Sequence, residues 1–219
     1  MVFDDRRHAG RALARVLREL PDCSDSVVLA LPRGGVPVAF EVARHLRLPL
    51  DIFLVRKLGV PGQEELAMGA VAGGGIVVLN EPVIRLYSIR PEIIDAVALR
   101  ENAEIQRRTA IYRGRHPPIP LKGRAVILVD DGLATGSTMR AAIRALRPIV
   151  RRIVVAVPVG AAVTCSDLRS EVDSLICLET PAHFQAVGEF YRSFDPTSDD
   201  EVRALLEAAW PDRGLPHPA

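Results

Sequence analysis

Short, dense apolar runs recur along this chain, and stretches with apolar residues three or four apart separate them. The runs at 27–31, 50–55, 126–129, 153–159 and 174–178 have almost no alternating polar face, the pattern of strands buried on both sides. Ala12, Leu13, Val16, Leu17 and Leu20 form a helical stripe ending near Pro21, and Val38, Val42 and Leu46 line a second helix. Ile93, Ile94, Val97, Ala98, Ile105 and Ile111 form the apolar face of a long helix over 91–112. Helices are also predicted at 139–146, 161–171 and 199–210. Residues 70–79 read as a β-hairpin turning on Gly73 to Gly75, and 211–219 as a frayed tail. Repetition of strand, loop and helix predicts an α/β fold: a doubly wound, mainly parallel sheet flanked by helices, with ligands at the carboxyl ends of its strands.

Two of the loops carry chemistry. After the strand at 126–129 come Asp130, Asp131, Gly132, Leu133, Ala134, Thr135, Gly136, Ser137 and Thr138, and then the next helix. A loop of this kind gathers backbone N–H groups beside the partial positive charge of a helix N-terminus, an arrangement that binds phosphate. Thr135, Ser137 and Thr138 add hydroxyl donors, and Gly136 lets the backbone approach the ligand. Asp130 and Asp131 would repel a bare phosphate, so they face another part of the ligand or a cation; vicinal ribose hydroxyls suit them, since a diol donates and a carboxylate accepts. The run lacks the Gly-Lys-Ser/Thr ending of a Walker A loop and is not Gly-x-Gly-x-x-Gly. The strand at 27–31 also ends in a glycine loop, Pro32-Arg33-Gly34-Gly35.

The stretch 126–139 closely resembles the 5-phosphoribosyl-1-diphosphate (PRPP) motif of the type I phosphoribosyltransferases. That resemblance implies that Asp130 and Asp131 hold the ribose hydroxyls and that Ala134, Thr135, Gly136, Ser137 and Thr138 hold the 5-phosphate; Ala134 stands where many members carry Thr. It further implies that Arg33, Gly34 and Gly35 form a diphosphate-binding loop, often with a strained peptide bond. Arg56 and Lys57, two cations read at the carboxyl end of the strand at 50–55, would neutralise the diphosphate. The implied reaction displaces diphosphate from C1 of PRPP by a nitrogenous base, with Asp130, Asp131, Arg33 and Lys57 as the catalytic set. Magnesium would arrive through PRPP near Asp130 and Asp131. A mobile loop or hairpin after the second strand would close over the centre, keeping water from a ribosyl cation-like species. Many purine-salvage members carry a lysine near the end of the strand matching 153–159. Val157-Pro158-Val159-Gly160 has none, which argues against hypoxanthine, guanine and xanthine as the base.

Aromatic residues concentrate at 184–194. Phe184 or Tyr191 could stack a flat heterocycle in a specificity hood, as the resemblance suggests, or the segment could clasp the C-terminus to the core. Near the other end, Arg6, Arg7 and His8 read either as a solvated turn or as a group with one side chain at the rim of the site. The 219 residues read as one domain, with a core over about 25–178 and a C-terminal hood and helix over about 179–210.

Composition narrows the alternatives. At 48% hydrophobic and 25% charged the chain is globular, and no apolar run approaches the ~20 residues that span a bilayer. Together with the absence of a signal-peptide pattern, this gives a cytoplasmic expectation. Cys23, Cys165 and Cys177 show no Cys-x-x-Cys spacing, so neither a disulfide framework nor a zinc site is expected. A net charge of +1 argues against a general nucleic-acid binder. The competing readings are a PRPP-binding regulator with a nucleic-acid partner, for which Arg107, Arg108, Arg113, Arg115, Arg151 and Arg152 supply the candidate basic surface, and a sugar-phosphate hydrolase using the same cradle. The mixed-charge helix at 91–112 packs on its own domain or on a second copy in a homodimer.

Overall fold

The computed structural model describes residues 2–19 and 25–210. Leu20, Pro21, Cys23 and the tail at 211–219 lie outside the described residues. In chain order the first elements are α1 (Arg6–Arg18), β1 (Ser26–Ala30), α2 (Gly35–Leu46) and β2 (Leu50–Ile52). Then come β3 (Val55–Val60), β4 (Gln63–Ala72), β5 (Ile76–Leu79), α3 (Glu81–Leu86) and α4 (Pro91–Arg113). The second half holds β6 (Ala125–Val129), α5 (Ser137–Leu146), β7 (Arg152–Val159), α6 (Ala162–Arg169) and β8 (Ser174–Glu179). A 3-10 turn at Val187–Phe190 and α7 (Asp199–Ala209) complete the described chain.

Five strands form a parallel sheet in the order β2-β1-β6-β7-β8. Because strand side chains alternate between faces, the apolar runs feed two cores. Val28, Ala30, Ile127, Val129, Val154 and Ala156 pack against α1, α2 and α7, while Val27, Leu29, Val126, Leu128, Ile153 and Val155 pack against α5 and α6. From β1 the chain winds outward to β2, and from β6 it winds the other way to β7 and β8. The reversal between β1 and β6 is a topological switch point, where open α/β sheets leave a crevice outside the strand ends.

The predicted single strand at 50–55 is two. β2 stops at Ile52, and after Phe53 and Leu54 the chain enters β3, which pairs antiparallel with β4 in a separate sheet ordered β3-β4-β5. Apolarity is continuous across the change of sheet, so periodicity does not register it. The hairpin between β4 and β5 turns at Gly73–Gly75, with Gly74 and Gly75 at positive φ, as that triplet predicts. The long predicted helix is α4, packed on β3, β4 and α7 of its own chain. The short α3 has no counterpart among the sequence expectations.

The two ends of the described chain meet. Phe3 is fully buried among Tyr191, Phe190 and Phe194, its N–H donates to the Phe190 carbonyl (2.8 Å), and the Arg192 N–H donates to the Phe3 carbonyl (2.8 Å). Asp5 caps α1 by accepting from the His8 N–H (2.6 Å), so the helix starts at Arg6. Removing the buried ring with Phe3→Ala is expected to cost about 3–5 kcal/mol. Urea unfolding measures this, and a loss under about 1 kcal/mol would show that the ring does not hold the termini together.

Candidate functional site

The site is built where β1 and β6 end side by side. Leu31 donates its N–H to the Val129 carbonyl (2.9 Å), so the loops after the two strands leave the sheet in contact. Gly34 and Gly35 lie directly against Asp130 and Asp131. A Cβ at Gly34 would overlap the Asp131 carboxylate, and one at Gly35 would come within 2.8 Å of the Val129 carbonyl oxygen and 3.0 Å of Asp130 Cα. Both positions therefore need glycine for approach rather than for unusual dihedrals. The Pro32–Arg33 peptide is cis.

The phosphate-type loop is held from outside. Gly136 has φ 71°, the left-handed region glycine tolerates, and stands at the N-terminus of α5. Thr164 of α6 donates its hydroxyl to the Ala134 carbonyl (2.7 Å), and Arg140 donates to the Thr135 carbonyl (3.2 Å) while pairing with Glu171 (3.0 Å). The Thr135 and Ser137 hydroxyls lie 3.0 Å apart. Ala134, Thr135, Ser137 and Thr138 are exposed, so the loop opens to solvent with its donors at the mouth.

The acidic pair is asymmetric. The Asp131 N–H donates to Asp130 Oδ1 (2.9 Å). Desolvation, together with the negative charge of Asp131, pushes the Asp130 carboxyl well above its ordinary range. Asp131 has a cation instead: Arg6 Nε donates to its Oδ2 at 2.8 Å, with the two side chains 11% and 16% exposed. Tyr191 donates its hydroxyl to the Asp131 carbonyl (2.6 Å). Burial pushes that phenol upward, so it remains a donor.

Of the cations expected for the diphosphate, Arg33 lies on the glycine loop, 46% exposed, with Asp199 of α7 3.6 Å away. Asp199 also accepts from Tyr112 (2.8 Å), a phenol that burial and this bond push up to about 12. Lys57 lies inside β3 rather than at the end of a parallel strand, and lines a cleft of about 160 Å³ with Ser137, Arg140 and Arg144 beside the start of α5. Arg56, also in β3, pairs with the buried Glu101 of α4 at 2.8 Å and keeps its side chain 38% exposed. Tyr191, read from the sequence as a stacking candidate, is 6% exposed, its ring between Phe3 and Phe194. Phe184, half-buried, stacks on Phe190.

Arg6 is the site residue that sequence reasoning left undecided; of the three polar residues at 6–8, it is the one the fold brings to the acidic pair. Thr164 carried no local signal at all. The basic candidates for a nucleic-acid surface are largely committed to carboxylates: Arg107 and Arg108 pair with Glu104 (2.7 Å each), Arg151 with Asp25 (3.9 Å), and Arg113 with the buried Asp51 (2.7 Å). Cys165 and Cys177, distant in sequence, are free thiols that meet beside Gly160. Among the described residues no group of three or more His, Cys, Asp or Glu could hold a metal, and no helix is long and apolar enough to cross a membrane.

The phosphoribosyl transferase domain model matches residues 5–191, from the cap of α1 to the clasp tyrosine. This chain belongs to the phosphoribosyl transferase domain family. A relative from Mycobacterium tuberculosis strain H37Rv, provisionally named a phosphoribosyl transferase, is 48% identical over 209 residues. That match covers 95% of this chain and 47% of the relative, so the chain spans about half the length of the curated relative. The crystal structure of TT1426 from Thermus thermophilus superposes with a TM-score of 0.84 at 42% identity, covering 94% of this chain and 98% of that one. A protein of Roseiflexus named bifunctional protein PyrR is 32% identical over 116 residues, 52% of this chain and 57% of that protein.

The state of Asp130 has a stability consequence. With its carboxyl held above the ordinary range, the folded chain keeps a proton that the unfolded chain releases, so ionisation weakens the fold as pH rises past the ordinary carboxyl range. Asp130→Asn is therefore expected to melt above wild type at neutral pH, with the gain vanishing below about pH 4, where the carboxyl is uncharged in both states. Melting curves at the two pH values check this; a gain that persists in acid contradicts it.

Proposed function

We propose that this protein is a phosphoribosyltransferase that moves the 5-phosphoribosyl group of PRPP to a nitrogenous base and releases diphosphate. The observation that carries the reading is the junction at the switch point. There a hydroxyl-rich loop at a helix N-terminus, a pair of carboxyls and a second glycine loop bearing an exposed arginine converge on one crevice. Each part suits one portion of the same ligand. Residues 134–138 offer N–H and hydroxyl donors to the 5-phosphate. Asp130 and Asp131 accept from the ribose hydroxyls. Arg33, Gly34 and Gly35 face the diphosphate, with Lys57 adding positive charge from the flank of α5.

The chemistry asks for no covalent nucleophile. The protein positions C1 of the ribose and supplies fixed charge where the leaving diphosphate gains it. Asp130 and Asp131 are the carboxyls that would face a magnesium ion brought in with the ligand; bound, it would neutralise charge on the departing diphosphate. The absence of a lysine near the end of β7 directs the base away from the 6-oxopurines.

Diphosphate release from PRPP with magnesium, against a panel of purines, pyrimidines and small amines, tests the reading. Release that depends on the base, with a ribosylated product, is expected. Free ribose 5-phosphate formed without any base would turn the assignment to hydrolysis. Tight PRPP binding without turnover for any base would turn it to a PRPP-binding regulator. Asp130→Asn and Asp131→Asn should each lower turnover by about tenfold to a thousandfold, and wild-type kinetics in both would remove the pair from the site.

A further inference from the structure

Arg6 is a cation in the candidate site for which the ligand itself has no evident use. It enters from the first residue of α1, an element that otherwise packs against α2 and β7. Its guanidinium is bound on several sides: Nε donates to Asp131 Oδ2 (2.8 Å), NH1 donates to the Asp195 carbonyl (2.8 Å), and Cζ lies 3.9 Å from the centre of the Phe194 ring. The side chain is 11% exposed. A Cβ built on Gly34 would lie 3.3 Å from Arg6 Nε, so the same guanidinium also abuts the diphosphate-type loop. A planar fork fits this arrangement, because one nitrogen can hold the carboxylate while another holds the backbone and the face rests on an aromatic ring. A lysine could make only part of it.

Asp131 is thereby fixed from two directions by parts of the chain that meet only in the folded protein. Arg6 holds its carboxylate, and Tyr191 holds its carbonyl (2.6 Å). Both holders belong to the clasp, Arg6 through the α1 start that Phe3 anchors and Tyr191 directly. The acidic pair would otherwise carry two adjacent carboxyls with no cation between them, a poorly determined arrangement for receiving a diol.

We propose that Arg6 is a positioning residue for Asp131: it fixes the carboxylate that receives a ribose hydroxyl and ties it to the Phe194–Asp195 segment. It does not touch the ligand, and its effect is confined to recognition of the diol. The proposal rests on the reading of Asp130 and Asp131 as ribose-binding groups. It adds that their selectivity is set from the N-terminal helix.

Calorimetric titration of the full chain with ribose 5-phosphate and with its 2,3-dideoxy analogue separates the possibilities. Wild type is expected to favour the diol ligand by about tenfold or more, as a hydrogen bond to a charged group should. In Arg6→Gln that ratio should fall towards one while affinity for the dideoxy analogue stays unchanged. Arg6→Lys, which keeps the charge and loses the fork, should lie between and guards against a variant that does not fold. On an Asp131→Asn background, Arg6→Gln should add nothing. Equal weakening of both ligands in Arg6→Gln would make Arg6 a phosphate contact or a purely structural residue and overturn the proposal, as would an unchanged ratio. A wild-type protein that binds both ligands equally would overturn the ribose reading itself. If the wild-type preference is present, only the role of Arg6 is at stake.

Discussion

Two loops that approach too closely for any side chain but hydrogen organise this molecule. Gly34 and Gly35, at the end of β1, lie against Asp130 and Asp131, at the end of β6, in the crevice where the winding of the sheet reverses. The close approach depends on parallel pairing of β1 with β6 in register from Ser26 with Ala125 to Ala30 with Val129. A one-residue slip of either strand would turn its side chains to the opposite face and shift its loop along the sheet. The buried apolar runs therefore do more than stabilise the core; they set the spacing of the chemical groups.

Around that junction the protein controls charge by contact rather than by exclusion. Asp131 has Arg6, Arg33 has Asp199 within 3.6 Å, and Asp130, desolvated beside the charge of Asp131, has its carboxyl pushed above the ordinary range. The clasp between Phe3 and the 190–194 segment completes this arrangement, since Arg6, just after one side of it, and Tyr191, on the other, both reach Asp131. Its aromatic residues serve the acidic pair by position; the Tyr191 hydroxyl reaches the pair while its ring remains in the interior.

Local signals made much of this legible. The β-branched runs announced strands with two buried faces, and the sequence Asp130 to Thr138 announced both loop and chemistry, because glycine, hydroxyl and carboxyl functions at a strand end have few other uses. What stayed hidden was what depends on distant partners. The 50–55 run looks uniform although the chain changes sheets after Ile52, so that Arg56 lies in β3 and pairs with Glu101. Arg6 looked like one of several polar residues at a helix start, since its 125-residue separation from Asp131 leaves no periodic trace. Thr164 and Tyr191 act through single hydrogen bonds to loop carbonyls, which no side-chain pattern encodes.

The central claim is that one ligand bridges the loop and the acidic pair, with its phosphate at 134–138 and its ribose hydroxyls on Asp130 and Asp131. A crystal structure with ribose 5-phosphate bound tests it most directly. The phosphate oxygens are expected to accept from the N–H groups and hydroxyls of Thr135 to Thr138, and the ribose hydroxyls to donate to Asp130 and Asp131. Ligand bound instead in the larger cleft of about 680 Å³ between α4 and the β4–β5 turn, with the crevice empty, would contradict it.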